Sequence, residues 1–356
     1  MSDPTGADDS TPLLSICIPN YSRTAQLLKA IESFARQSFR DFEVCISEGR
    51  PDHPDERLIQ DTLEASGLRY HYQRGGQRLR YDQNLRAAIG LARGRWCLLM
   101  GNDDALNGVD ALASLAELLD DPELGYVITN FCDDRSGELA ERVLQDRRYA
   151  GGIDTVCRLF RNVSFVSGLA VRRDLARAVA SDEVDGSEMY QMYLLARVVG
   201  SGAALLQSRL VLVRKDIHIS ESFVESYRDE VVKDPWQAGS KWRPMLDLAR
   251  VVVESMERHL RPGPSAGNAL NVLAQLTVFT YSFWITNYRE VFGFRYAAAF
   301  ALRTWPPTLL SGRKRWVGWL LVPVWAPLVA SALLVPLALF ERLRRRLYRF
   351  AKRVGA

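Results

Sequence analysis

The chain has 356 residues, 47% of them hydrophobic and 25% charged, and a net charge of +4. That composition is ordinary for a folded globular protein, and the length suits one large domain with an extension, or two domains. Four scattered histidines and five cysteines without a CxxC pair exclude a visible zinc cluster and point to buried thiols in a reducing compartment. The charge is uneven: the start, "MSDPTGADDS", is acidic and polar, whereas the last fifteen residues are strongly basic and suit an acidic partner surface.

The first residues lack a basic region followed by an apolar one, so they read as a disordered lead-in and not as a signal peptide. "LLSICIP", from Leu13, is a short apolar run rich in β-branched residues and predicts a strand. "TAQLLKAIESFARQS" follows with helical spacing and Thr24 as its N-cap. The alternation continues through "FEVCISE", "DERLIQDTLEAS", "LRYHYQR", "YDQNLRAAIGLARG" and "RWCLLM". Runs of this kind predict an α/β fold, a mostly parallel sheet with flanking helices. Ligands bind such sheets beyond the carboxyl ends of the strands, so the loops "PNYSR", "SEGRPD" and "GNDD" converge on one crevice. No GxGxxG follows the first strand, which argues against a dinucleotide-dependent oxidoreductase.

From about residue 108 to 214, helices mix with the strand-like runs "YVITNFC", "SFVSGLAV" and "LLQSRLVLVR". Beyond about 221 the strand signal fades, and "SKWRPMLDLARVVVESMERHL" and "NALNVLAQLTVFTYSFWITNY" read as helices. Residues 316–340, "WVGWLLVPVWAPLVASALLVPLALF", carry no charge and are long enough to span a bilayer. Basic residues lie on both sides, and both flanks belong in the cytoplasm by the positive-inside rule. A re-entrant or interfacial kinked helix pair satisfies that; a single straight span does not. Trp316, Trp319 and Trp325 suit an interfacial belt, and the basic tail adds attraction to anionic lipid. Alone the tail also reads as a solvated helix or a nucleic-acid patch, but the adjacent apolar run favours a membrane and no nucleic acid.

Asp103 and Asp104 stand side by side where the fourth predicted strand ends. They repel each other unless something positive sits there. Mg²⁺ or Mn²⁺ bridging a diphosphate would neutralise them, because such ions take one or two carboxylates plus substrate phosphates. An ordinary cap for the next helix is the plainer alternative.

The neighbouring residues sharpen this. "LLSICIPNYSRTAQLLKAIESFARQSFRDFEVCISEG", then Asn84 before "LRAAIGLARGRWCLLMGNDDAL", resembles the N-terminal half of family-2 glycosyltransferases with the GT-A fold. The "GNDD" form is most similar to the abequosyltransferase-like branch, which builds surface polysaccharides on lipid-linked saccharides. The resemblance implies that Pro19, Tyr21 and Arg23 line the nucleotide pocket, with Glu48 near the base. It implies Asp82 and Asn84 near the ribose and pyrophosphate, and Asn102, Asp103 and Asp104 as the metal motif, with Asp104 the direct ligand. "VRKDIHISES" resembles the family's Arg-x-x-x-His segment, which implies Arg214 beside the diphosphate and His218 as a metal or leaving-group contact. The family's base comes from a Glu-Asp pair that opens a helix. In "DGSEMYQMYLLARVVG" Glu188 falls on the Glu and Met189 on the Asp, which leaves Glu188 as first candidate and Asp185 as second.

The resemblance thus implies a hexosyltransferase-type, inverting enzyme dependent on Mg²⁺ or Mn²⁺. It would move a sugar from a nucleotide-sugar to a polyprenyl-diphosphate-linked saccharide at the cytoplasmic face of the inner membrane, held there peripherally or by a re-entrant segment. The implied division is a lead-in over 1–12, a GT-A-like domain over 13–220, a helical region over 221–305 and a membrane-associating segment with basic tail over 306–356. Direct transfer to polyprenyl phosphate, or a non-catalytic membrane scaffold derived from such an enzyme, are the alternatives.

Overall fold

A computed structural model describes residues 11–217, 247–340 and 342. Strands β1 (Leu14–Asn20) and β2 (Phe42–Glu48) are buried along their whole length. Burial on both faces is why they read as near-continuous apolar runs. Together with β3 (Tyr70–Arg74) and β4 (Trp96–Leu99) they pair in parallel, in the order β3-β2-β1-β4. Helices α1 (Thr24–Ala35), α2 (Glu56–Ala65) and α3 (Tyr81–Leu91) make the crossovers. Thr24 is not the cap of α1. Arg23 holds that place in the left-handed region, φ 61°, and the Thr24 hydroxyl instead donates to Asp55 at 2.7 Å.

After β4 the chain forms β5 (Ala105–Leu106), α4 (Ala111–Ala116), β6 (Leu124–Asp133), β7 (Leu139–Ala140) and β8 (Arg147–Tyr149). It continues through α5 (Ile153–Leu159), β9 (Leu169–Arg172), α6 (Arg173–Ala178), α7 (Tyr190–Val198) and β10 (Ala204–Lys215). The full order is β3-β2-β1-β4-β9-β6-β10-β5, with β7 beside β6 and β8 beside β10. Strand β9 is antiparallel to both β4 and β6, β5 and β8 are antiparallel to β10, and β7 to β6. The sheet is therefore mixed, which corrects the mostly parallel expectation. The parallel rule holds where helices carry the chain across; the tight β6–β7 turn reverses it instead.

The C-terminal helices pack onto the same body. A wide turn, Arg250–Glu254, leads into Ser255–His259, followed by Ala266–Gln275, Ser282–Phe292 and Phe294–Arg303. Their Val252, Met256, Leu273 and Phe300 share one core with Leu85, Tyr126, Tyr193 and Leu195 of the sheet domain. The helical region thus extends that core. A 3₁₀ stretch, Arg315–Leu321, then runs into helix Val322–Leu334. Pro336 follows its end, and the Arg289 guanidinium donates to the Leu333 and Val335 carbonyls that the helix end leaves without amide partners. The stretch Arg315–Leu334 is long and apolar enough to cross a membrane, and 28% of its apolar window is buried.

Candidate active site

The carboxyl ends of β1, β2 and β4 meet in a buried amide network. Asn20 ends β1 and is fully buried. Its side-chain amide donates to Glu48 at the end of β2, and its side-chain oxygen accepts from Asn102 at 2.7 Å. Asn102 also donates to the Ser22 carbonyl at 3.0 Å, and Asn84, on the first turn of α3, donates to the Asn20 carbonyl at 2.7 Å. Three loops and one helix are thereby fixed to one residue. Buried polar groups need such partners, because an unsatisfied one costs about 1–3 kcal/mol. Glycine leaves room at two close approaches. A Cβ on Gly49 would stand 2.8 Å from both the Asn84 amide nitrogen and the Leu79 carbonyl, and one on Gly101 would stand 2.9 Å from an Asp103 carboxylate oxygen.

Glu48 is fully buried and also accepts the Arg50 N–H at 2.8 Å. Burial pushes its pKa up to about 7, against the pull of those hydrogen bonds. It forms the floor of the network. Tyr21 lies above with the Arg78 guanidinium over its ring, 5.5 Å from the centroid. Pro19 is buried in β1 opposite Ser47.

The acidic pair divides its roles. Asp104 is 1% exposed, accepts the Ser167 hydroxyl, and accepts the Asp216 N–H at 2.9 Å. Burial and then the neighbouring Asp103 charge push its pKa up to about 7. Asp103 has a side chain 25% exposed and is paired with Arg23. The positive group beside the pair is therefore Arg23 from the β1 loop. Among the described residues no group of three or more His, Cys, Asp or Glu could enclose a metal alone. Asp103 and Asp104 nonetheless fit an open cation site. Their repulsion raises one pKa, and Mg²⁺ or Mn²⁺ needs only one or two carboxylates when phosphates and water complete its shell.

At the end of β10 Arg214 pairs with Asp134, at 3.1 Å, and Lys215 pairs with Asp216, at 2.6 Å, with the charges of Asp104 and Asp103 also acting on it. Burial pulls the Lys215 pKa down, but Asp216, Asp104 and Asp103 outweigh it and hold it above its ordinary value. His218 lies outside the described residues. Sequence reasoning missed Asn20, Lys215 and Ser167 as members of this cluster.

Asp82 is engaged by the backbone that leads into α7. It is fully buried, and its carboxylate accepts the backbone N–H groups of Gly186 and Glu188 at 2.8 Å each and of Tyr190 at 3.0 Å. Burial pushes its pKa up to about 6 even so. Asp185 is engaged by Arg86 through two bonds of 2.5 and 2.9 Å. Glu188 is half-buried in the left-handed region, φ 60°. It does not cap α7, whose first residue, Tyr190, is served by Asp82.

This geometry can be compared with known proteins. Residues 15–175 match the family model described as Glycosyl transferase family 2. Over those residues the chain resembles glycosyltransferase family 2. "Abequosyltransferase RfbV" of Salmonella typhimurium is 36% identical over 110 residues, 30% of this chain and 33% of that protein. A "PGL/p-HBAD biosynthesis glycosyltransferase" of Mycobacterium bovis is 33% identical over 116 residues, 32% of this chain and 44% of that protein. The matched stretch thus spans less than half of either relative. Among solved structures, S. aureus TarS 1-349 in complex with UDP-GlcNAc aligns with a TM-score of 0.57 at 13% identity, covering 96% of this chain and 90% of that one. The mannosyltransferase PcManGT from Pyrobaculum calidifontis, in complex with GDP-Man and Mn²⁺, aligns with a TM-score of 0.53 at 14% identity, covering 97% and 87%. At such identities the likeness speaks for the fold, a GT-A-like α/β arrangement with a mixed sheet. The matched residues, 15–175, contain the whole amide network and the acidic pair.

Proposed function

We propose that the chain is a metal-dependent, inverting glycosyltransferase of hexosyltransferase type. It moves a sugar from a nucleotide-sugar to a polyprenyl-diphosphate-linked saccharide at the cytoplasmic face of the membrane. The observation that carries this is the buried Asn20 network, which ties the β1, β2 and β4 loops together beside two adjacent carboxylates. Tyr21 and Arg78 offer a stacked, cationic wall for the nucleotide. Asp103 and Asp104 would hold Mg²⁺ or Mn²⁺, which when bound supplies positive charge against the departing diphosphate. Lys215 adds a protein cation on that side, and Arg23 is released from Asp103 to the phosphates. Glu188 takes the proton of the acceptor hydroxyl, so that the oxygen attacks the anomeric carbon as the nucleoside diphosphate leaves.

The membrane part rests on the C-terminal surface. Residues 291–340 contain five Lys or Arg and no Asp or Glu. Trp316, Trp319 and Leu320 are each more than half exposed, although large apolar side chains on a surface of this kind favour burial. An apolar helix preceded by a cluster of basic residues, Arg313, Lys314 and Arg315, supports association of this segment with a membrane. One observation favours a second reading, transfer directly to polyprenyl phosphate. Met189 fills the position of the family's Asp and packs against the core, and a phosphate acceptor needs no strong base.

The test is nucleoside-diphosphate release by detergent-purified protein across a panel of nucleotide-sugars, with Mn²⁺, Mg²⁺ or EDTA, and with both lipid acceptors. Metal-dependent release stimulated by a lipid-linked saccharide is the expected result. Stimulation by polyprenyl phosphate alone selects the second reading, and silence on every donor rejects both.

A further inference from the structure

The segment from Ser181 to Met189 leads into α7 without regular structure of its own, and it carries Glu188. Helix α3 grips it at two points one turn apart. Asp82 gathers three N–H groups on alternate residues, Gly186, Glu188 and Tyr190. Arg86 holds Asp185 with two hydrogen bonds and the Ser181 carbonyl with a third, at 2.7 Å. Residues four apart lie on one helix face, so both grips act on the same side. On its outer edge the segment is tied by Glu183, which pairs with Arg258 at 3.1 Å and lies 3.0 Å from the His259 ring.

Glu188 itself is a non-glycine residue at φ 60°. Such a conformation costs energy and persists only where the surroundings impose it. The Asp82 bonds flank that residue on both sides and include its own N–H. Bonds to an ionised acceptor are about twice as strong as neutral ones, and a carboxylate also suits the N-terminus of α7. Two residues beyond Asp82, Asn84 holds the carbonyl of Asn20. The first turn of α3 therefore touches both the donor crevice and the Glu188 segment.

We infer that Asp82 is a positioning residue: from the first turn of α3 it fixes the Glu188 segment in register with the donor crevice, so that the proton-accepting carboxylate has one place. This role rests on the glycosyltransferase reading above, with Glu188 as base.

The experiment uses the full chain in detergent and compares wild type, Asp82→Asn, Glu188→Gln and the double variant on the active donor. Asp82→Asn is expected to lower kcat by about 100-fold, the scale of a small misplacement of a reacting group. Its donor KM should stay within about threefold, since the donor site is untouched. The double variant should be no slower than Glu188→Gln alone by more than about threefold, because both changes act through one group. Amide exchange should quicken at Gly186, Glu188 and Tyr190 in Asp82→Asn and not in β1. A variant with near-normal kcat, a raised donor KM alone, or losses that multiply in the double variant overturns the role. If Asp82→Asn does not fold, Arg86→Gln replaces it, with about a tenfold kcat loss at constant KM expected and an unchanged kcat overturning the role. A wild type silent on every donor is different: it rejects the glycosyltransferase reading, and this role with it.

Discussion

Asn20→Ala removes the centre of the amide network and nothing else. The side chain donates to Glu48 and accepts from Asn102, whereas the Asn20 carbonyl, which alanine keeps, still accepts from Asn84. A hydrogen bond to a charged partner contributes about 1.5–3 kcal/mol and a neutral one about 1 kcal/mol, so the loss is about 2.5–4 kcal/mol. In a chain of this size each kcal/mol moves Tm by about 1.3 °C, so Tm falls by about 3–5 °C. Because the three loops are no longer tied, affinity for a nucleoside diphosphate with Mn²⁺ should fall about tenfold or more. Calorimetry supplies both readings, the melt of the free variant and the titration of the nucleotide. Melting within about 1 °C of wild type, with normal affinity, would refute the idea that Asn20 organises the crevice.

Three further outcomes follow from single features. Glu48 has its pKa raised from 4.5 to about 7, so the folded state binds the extra proton and folding weakens as pH rises through that interval. Glu48→Gln removes this dependence, and its deficit in Tm against wild type should shrink between about pH 5 and pH 8, whereas a constant or growing deficit rejects the assignment. Lys215→Met should weaken nucleoside-diphosphate binding by about 10–100-fold, the loss of one charge-assisted bond, while Arg214→Met changes it by less than about threefold. The reverse order, read by the same titration, would restore Arg214 to the diphosphate. Replacing Trp316 and Trp319 together by alanine should cut sedimentation with anionic vesicles about tenfold or more, and a wild type that ignores such vesicles contradicts the membrane association.

Much of this was legible in the sequence, for physical reasons that differ by element. β1 and β2 announce themselves because strands buried on both faces are continuously apolar. The crevice follows from strand–helix alternation alone. The sheet's mixed direction does not, since an apolar run says nothing of which way its neighbour points, and β5 and β7 are only two residues long. Site residues followed the same division. Motif position brings Tyr21, Arg23, Glu48, Asn84 and the acidic pair to one region, but it does not say that Glu48 lies in the floor or that Asp82 gathers the backbone before α7. That depends on which long-range backbone groups meet a buried carboxylate, here residues more than a hundred positions later.

The most direct measurement is equilibrium binding of a nucleoside-diphosphate panel to the full chain, with Mn²⁺ or EDTA, in wild type and Asp104→Ala. One nucleotide should bind wild type with Mn²⁺, lose affinity by about tenfold or more in EDTA, and lose it equally in Asp104→Ala whether or not metal is present. Binding that ignores both metal and Asp104, or no binding by any nucleotide, would contradict a metal-dependent donor site in this crevice.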